Sequence, residues 1–135
     1  MRTVSALPSR RPNRRCGGIP QTMTRLTVDV RHVGRRAVIA AAGELDVASV
    51  PALSTTIDRV VQTGAFEVWL DLRSMKFMDS TGLHLVLRLR RRLQELDRQL
   101  AIVCPRGPVR RVFELAGVDH ALALHPTLAA AQRQT

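Results

Sequence analysis

The sequence predicts a single α/β domain on a mixed, mainly parallel sheet, and three observations carry that reading. Two strand-like segments open the folded part and are joined by a short glycine turn, which makes a β-hairpin. After them, segments with helical apolar spacing alternate three times with short apolar runs. Strands joined through helices in this way lie parallel, with right-handed crossovers. The chain has 135 residues, 45% of them hydrophobic, enough for one core.

Residues 1–24 mix Arg, Pro, Ser and Gly with no apolar period and read as a disordered basic tail, leaving 25–135 as the folded domain. The tail has a charged start but no apolar stretch after it, so it is not a secretory signal. Met23-Thr24-Arg25-Leu26 would itself make a sensible start, with the first strand right behind it. The tail is therefore expected to be either a true extension or an over-extended start assignment. Leu26 to Val30 alternates apolar and polar residues, a half-buried strand. His32 to Arg36 is a turn around Gly34, and Ala37 to Ala42 is the second strand. Gly43-Glu44-Leu45-Asp46 is expected to be a loop.

Val50, Leu53, Ile57, Val60 and Val61 then fall at helical spacing. Pro51 fits only a first turn, so the helix starts near Ser49, and Thr63-Gly64 ends it. Phe66 to Leu72 is a buried strand and Ser80 to Asp97 the second helix. Arg98 to Cys104 is the next strand, and Pro105-Arg106-Gly107-Pro108 turns the chain into a short helix, Val109 to Ala116, closed by Gly117. Ala121 to Leu124 is a short strand and Pro126 to Gln134 a last helix.

Composition narrows function. Aromatics are 3% of residues, with no Tyr, and Phe66, Phe77, Phe113 and Trp69 all lie in apolar runs, which argues against a stacking platform for nucleic acid. The net charge of +10 invites a nucleic-acid reading, but half of it comes from Arg2, Arg10, Arg11, Arg14 and Arg15 in the tail, and the rest is dispersed. No apolar run is long enough to span a bilayer. Cys16 and Cys104 have no metal-ligand spacing and read as unpaired thiols of a reducing cytoplasm. The four histidines show no metal-binding repeat, and no metal or cofactor is expected.

The most informative stretch is Asp71 to Leu83. Asp79-Ser80-Thr81-Gly82 lies where a strand hands over to a helix. Backbone N–H groups at a helix start lack partners and carry partial positive charge. Asp, Ser and Thr can cap those donors, and the same donors can hold a phosphate. A hydroxyl there can be modified without breaking the fold. An acid after a hydrophobic strand (Asp71), then Met75, Phe77 and Met78, then Asp79-Ser80-Thr81-Gly82-Leu83, resembles the signature of STAS domains, specifically bacterial anti-sigma-factor antagonists. Gly43-Glu44-Leu45-Asp46 upstream is a second matching element. The resemblance runs from about Leu26 to about Ala130.

That resemblance implies a STAS fold with helices mostly on one face of the sheet. It also implies a cytoplasmic partner switch and no enzyme. Family members bind an anti-sigma factor when the motif serine is bare. That partner is usually also a serine kinase of the histidine-kinase-like ATPase fold. It phosphorylates the serine, the complex dissociates, and a PP2C-type phosphatase restores the bare form. Carried over, the phosphorylated residue is Ser80, with Asp79 before it and Asp46 on the neighbouring loop. Many relatives carry Gly after Asp-Ser-Thr-Gly-Leu, where this chain has His84. Some relatives are not phosphorylated and act as accessory or scaffold subunits of signalling complexes or transporters, which is the alternative reading.

In the second helix Leu85, Val86, Leu89, Leu93 and Leu96 form one stripe toward the sheet, and Leu83, His84, Leu87 and Arg91 are expected on the opposite side. Leu83 and Leu87 would then make an apolar patch one turn from Ser80. The expected partner surface is Asp46, Asp79, Thr81, Gly82, Leu83, His84, Leu87 and Arg91. A hydrolase reading, with Ser80 as nucleophile beside His84 and Asp79, lacks Gly-x-Ser-x-Gly and an independent acid to orient the histidine.

Overall fold

The computed structural model describes residues 3–5 and 26–134. Six strands form one sheet in the order of the chain: β1 (Thr3–Ser5), β2 (Leu26–Val33), β3 (Arg36–Leu45), β4 (Glu67–Met78), β5 (Gln99–Val103) and β6 (Leu124–His125). The β1–β2 and β2–β3 pairs are antiparallel, and β3–β4, β4–β5 and β5–β6 are parallel. The helices are α1 (Val50–Gln62), α2 (Ser80–Glu95), α3 (Pro108–Leu115), α4 (Asp119–Leu122) and α5 (Leu128–Gln134).

The expected hairpin is present. Val33 pairs with Arg36 across a two-residue turn, and Gly34 there takes φ 61°, which glycine adopts without a Cβ penalty. β2 buries Leu26, Val28 and Val30 and exposes the residues between them, as its alternation requires. β4 is central and buried on both faces from Val68 to Leu72. Val68, Leu70 and Leu72 join the main core with Ile39 of β3, Leu53 and Ile57 of α1, Leu89 and Leu93 of α2, and Phe113 of α3. Trp69 points the other way and packs with Ala101, Val103 and Ala131, under α5. Helices α1 to α4 thus cover one face and α5 part of the other. Cys104 is buried and unpaired, and burial pushes its thiol up to about 11.

Three boundaries differ from expectation. Gly43-Glu44-Leu45 is strand and not loop, and β4 runs on to Met78, because register shifts between Ala40 and Ala42 and between Gly43 and Glu44 let β3 stay paired with β4. Ala121 and Leu122 are helical: α4 drives Leu122 into the core, and Ala123, at φ 52°, breaks the helix before a two-residue strand. Thr3–Ser5 is a strand on the outer edge of β2 instead of disordered tail. The rest of the tail expectation, including Cys16 and the alternative start at Met23, lies outside the described residues.

Candidate functional site

The two motifs meet because β3 and β4 run on together past their bulges. Glu44 stands opposite Phe77 and Leu45 opposite Met78, and the Asp79 N–H donates to the Leu45 carbonyl at 3.1 Å. Gly43-Glu44-Leu45-Asp46 and Asp79-Ser80-Thr81-Gly82 therefore lie side by side at the carboxyl ends of adjacent parallel strands. Loops at this end of an α/β sheet are where ligands and partners are ordinarily met.

Both aspartates act as helix caps. Asp46 Oδ1 accepts from the N–H groups of Ala48 (3.0 Å) and Ser49 (3.1 Å), while the Asp46 N–H donates to Ser49 Oγ at 3.0 Å. This reciprocal pair is a capping box ahead of α1. Ser49 Oγ also donates to the Glu44 carbonyl at 2.8 Å, tying the cap to the end of β3. Asp79, with extended backbone, caps α2: its Oδ1 accepts from Thr81 N–H (2.9 Å), Gly82 N–H (3.2 Å) and the Thr81 hydroxyl (2.5 Å). Burial pushes the Asp79 carboxyl upward. The Thr81 hydroxyl and the backbone N–H groups of Gly82, Thr81 and Asp79 itself outweigh it and hold the group below its ordinary value.

The two hydroxyls of the motif are in different states. Thr81 is half-buried and held by Asp79. Ser80 is exposed at the first position of α2, and among the described residues nothing holds its hydroxyl.

Two expected surface residues are internal. A Cβ on Gly82 would lie 2.7 Å from Leu45 Cδ2 and 2.7 Å from Met78 Cγ, so this glycine lets α2 seat against the ends of β3 and β4. Leu83 is 8% exposed and belongs to the main core, correcting its expected outward position. The reason is that α2 packs against α1 on one side and α3 on the other, so its buried arc is wider than one sheet-facing stripe. By helical angle Leu83 and Leu87 share the flank of Arg90 and Gln94, which line a cleft with Leu122 of α4. Leu87 is half-buried against the core, while His84 and Arg91 are exposed as expected. Leu96, expected on the inner stripe, is exposed just past the end of α2.

Two apolar residues close in sequence to the motif aspartates are exposed and escaped the sequence reading. Val47, next to the Asp46 cap, is 72% exposed, and Phe77, two residues before Asp79, is 47% exposed. Phe66 also is exposed, so of the four aromatics only Trp69 and Phe113 enter a core. The available signal was Val47 itself, an apolar residue inside a capping turn where no core position is expected.

The family model for the STAS domain matches residues 27–131. This chain belongs to the STAS domain family. The STAS domain here is 34% identical over 76 residues to the anti-sigma-B factor antagonist of Staphylococcus aureus (strain NCTC 8325 / PS 47), covering 56% of this chain and 70% of that protein. The crystal structure of an anti-sigma factor antagonist from Mycobacterium paratuberculosis matches it with TM-score 0.75 at 28% identity, over 81% of this chain and 92% of that one. SpoIIAA, an anti-sigma factor antagonist, matches in its unphosphorylated form with TM-score 0.66 at 28% identity, over 78% of this chain and 94% of that one. The phosphorylated form from Bacillus matches with TM-score 0.62 at 26% identity, over 80% and 99%. Among STAS domains, the chain groups with the anti-sigma-factor antagonists. No helix among the described residues is long and apolar enough to cross a membrane.

Proposed function

We propose that this STAS domain is a phosphorylation-controlled antagonist that binds an anti-sigma factor through the end of the molecule carrying Ser80. With Ser80 bare it holds the anti-sigma factor, and with Ser80 phosphorylated it lets go. The partner is an anti-sigma factor that is also a serine kinase of the ATPase fold, and a PP2C-type phosphatase resets the switch. These reactions use ATP and act on transcription, which puts the protein in the cytoplasm. The observation that carries the reading is the contrast between Ser80, exposed with its hydroxyl unheld, and Thr81, locked onto Asp79.

The contact surface in this proposal is Ser80, His84, Arg91 and the outer edge of Leu87 on α2, with Val47 and Phe77 as its apolar anchors. Asp46, Asp79, Thr81, Gly82 and Leu83 shape that surface from beneath, through the caps and the seam described above. Phosphate adds about −1.5 to −2 charges at pH 7. Burying that charge against a partner that packed on a neutral hydroxyl, with the Asp79 and Asp46 carboxylates alongside, costs several kcal/mol. About 4 kcal/mol already lowers affinity a thousandfold. The domain contributes no chemistry of its own: base, nucleotide and Mg²⁺ come with the kinase. The deciding experiment is incubation with the anti-sigma factor and Mg-ATP, followed by phosphosite mapping. Phosphate on Ser80 and loss of the complex are expected. A complex that forms and never takes phosphate would leave the scaffold reading in its place.

A further inference from the structure

We infer that His84 is the residue that receives and orients the phosphate on Ser80, because beyond the N–H of Ser80 itself the first turn of α2 has no free donor to do so. The inference rests on the reading of Ser80 as the modified residue. A phosphate at a helix start ordinarily takes the backbone N–H groups of the first turn. Here Thr81 N–H and Gly82 N–H both donate to Asp79 Oδ1, and Leu83 N–H donates to the Asp79 carbonyl at 3.1 Å. Of the anion-binding donors at the start of α2 only the Ser80 N–H is left, and the Asp79 carboxylate beside it repels a second anion.

Of the charged groups on α2, one lies within a turn of Ser80. Asp79 and Asp46 are anionic and turned onto their caps. Arg88 is two turns along α2, about 12 Å by helical rise, and Arg91 is further. His84 lies at i+4, one turn from Ser80 on the same exposed side of the helix, where side chains four apart are neighbours. Its imidazole is exposed and, among the described residues, without a partner. A phosphate leaning away from Asp79 along the helix meets His84, which donates a charge-assisted N–H bond to it. Lys76, exposed near the end of β4, is a cation close in sequence to Ser80 but off the helix, and serves as the control.

The test uses the full chain with phosphoserine incorporated at position 80 during translation, so that no kinase is needed. The second ionisation of the phosphate is followed by phosphorus NMR, with its midpoint near pH 6. The midpoint of the otherwise unaltered chain is expected about 0.15–0.4 pH unit below that of the His84→Gln chain. His84→Lys, which restores a cation at i+4, should bring the low midpoint back, and about 1 M salt should shrink the difference. Equal midpoints with and without His84, or a shift abolished by Lys76→Gln and untouched by His84→Gln, would overturn the inference. The two readings fail separately. Kinase-delivered phosphate on another residue defeats the proposed function whatever the midpoints, and equal midpoints defeat the His84 pairing even where Ser80 is the kinase's target.

Discussion

The Thr81 hydroxyl lies 2.5 Å from Asp79 Oδ1, and the residue between them, Ser80, turns its own hydroxyl to solvent. One carboxylate thus holds one of two adjacent hydroxyls and leaves the other free. The expected outcome is that Ser80→Ala abolishes phosphorylation and keeps the anti-sigma complex. Ser80→Asp should weaken binding at least tenfold with an unchanged circular dichroism spectrum. Mapping of phosphate to Thr81, with Ser80→Ala still fully modified, would sink the assignment.

A second expectation concerns the cap. Replacing an Asp N-cap costs about 0.5–2 kcal/mol, so Asp79→Ala should lower the melting temperature measurably. The pH dependence has a definite sign. Folding holds the Asp79 carboxyl below its ordinary value of 3.8, so its contribution is fully present above that value and is lost as pH falls through the lower folded value. Asp79→Ala should therefore lower stability at neutral pH and leave it nearly unchanged at the acid end. Melts from neutral pH down to the acid limb check this, and a constant difference at every pH would contradict it.

Much of this was legible in the sequence, for identifiable reasons. The hairpin, the three helix–strand alternations and the place of Ser80 at a helix start all follow from periodicity and punctuation that the structure keeps. What was not legible depends on neighbours. Gly43 and Glu44 look like loop residues, and only pairing with β4 through bulges makes them strand. Thr3-Val4-Ser5 has no strand pattern of its own and is placed by the edge of β2. A helical wheel puts Leu83 outward because it assumes a single buried face, whereas α2 has a neighbour on each flank.

That correction changes the expected behaviour of the leucines. Leu83→Ala and Leu89→Ala should each cost roughly 2–5 kcal/mol, since both side chains are in the core. Leu87→Ala, at a half-buried position, should cost less than either and still reduce binding through its exposed edge. Denaturant unfolding of the three variants ranks them. A Leu83→Ala protein as stable as the parent would show that this position is not core.

Gly82→Ala tests the seam between α2 and the strand ends. Alanine ordinarily favours a helix by up to about 1 kcal/mol over glycine. Here its methyl would meet Leu45 and Met78 at 2.7 Å, and overpacking costs about 1–3 kcal/mol. The close contact should win, and the variant should be less stable than the parent by thermal melting. A raised melting temperature would mean that α2 can lift off β3 and β4 freely.

The last expectation separates the contact surface from the fold. Val47 and Phe77 are largely out of the core, and they come from two segments held together by the pairing of Glu44 with Phe77. Large apolar side chains exposed in the two segments that carry the motifs are suited to anchoring a partner whose grip a phosphate on Ser80 would break. Exposed substitutions usually change stability by no more than about 0.5 kcal/mol, whereas loss of an interface anchor costs more than about 1 kcal/mol of binding. Val47→Ser and Phe77→Ser should therefore melt close to the parent. Each should weaken anti-sigma binding about tenfold, and Phe77→Ser more than Val47→Ser because an aromatic side chain covers more apolar area. Calorimetric titration of the two variants against the anti-sigma factor, beside their melts, measures both quantities. Undisturbed binding in both would move the contact surface off this end of the sheet, and a collapse of stability in either would show that the side chain packs within the fold.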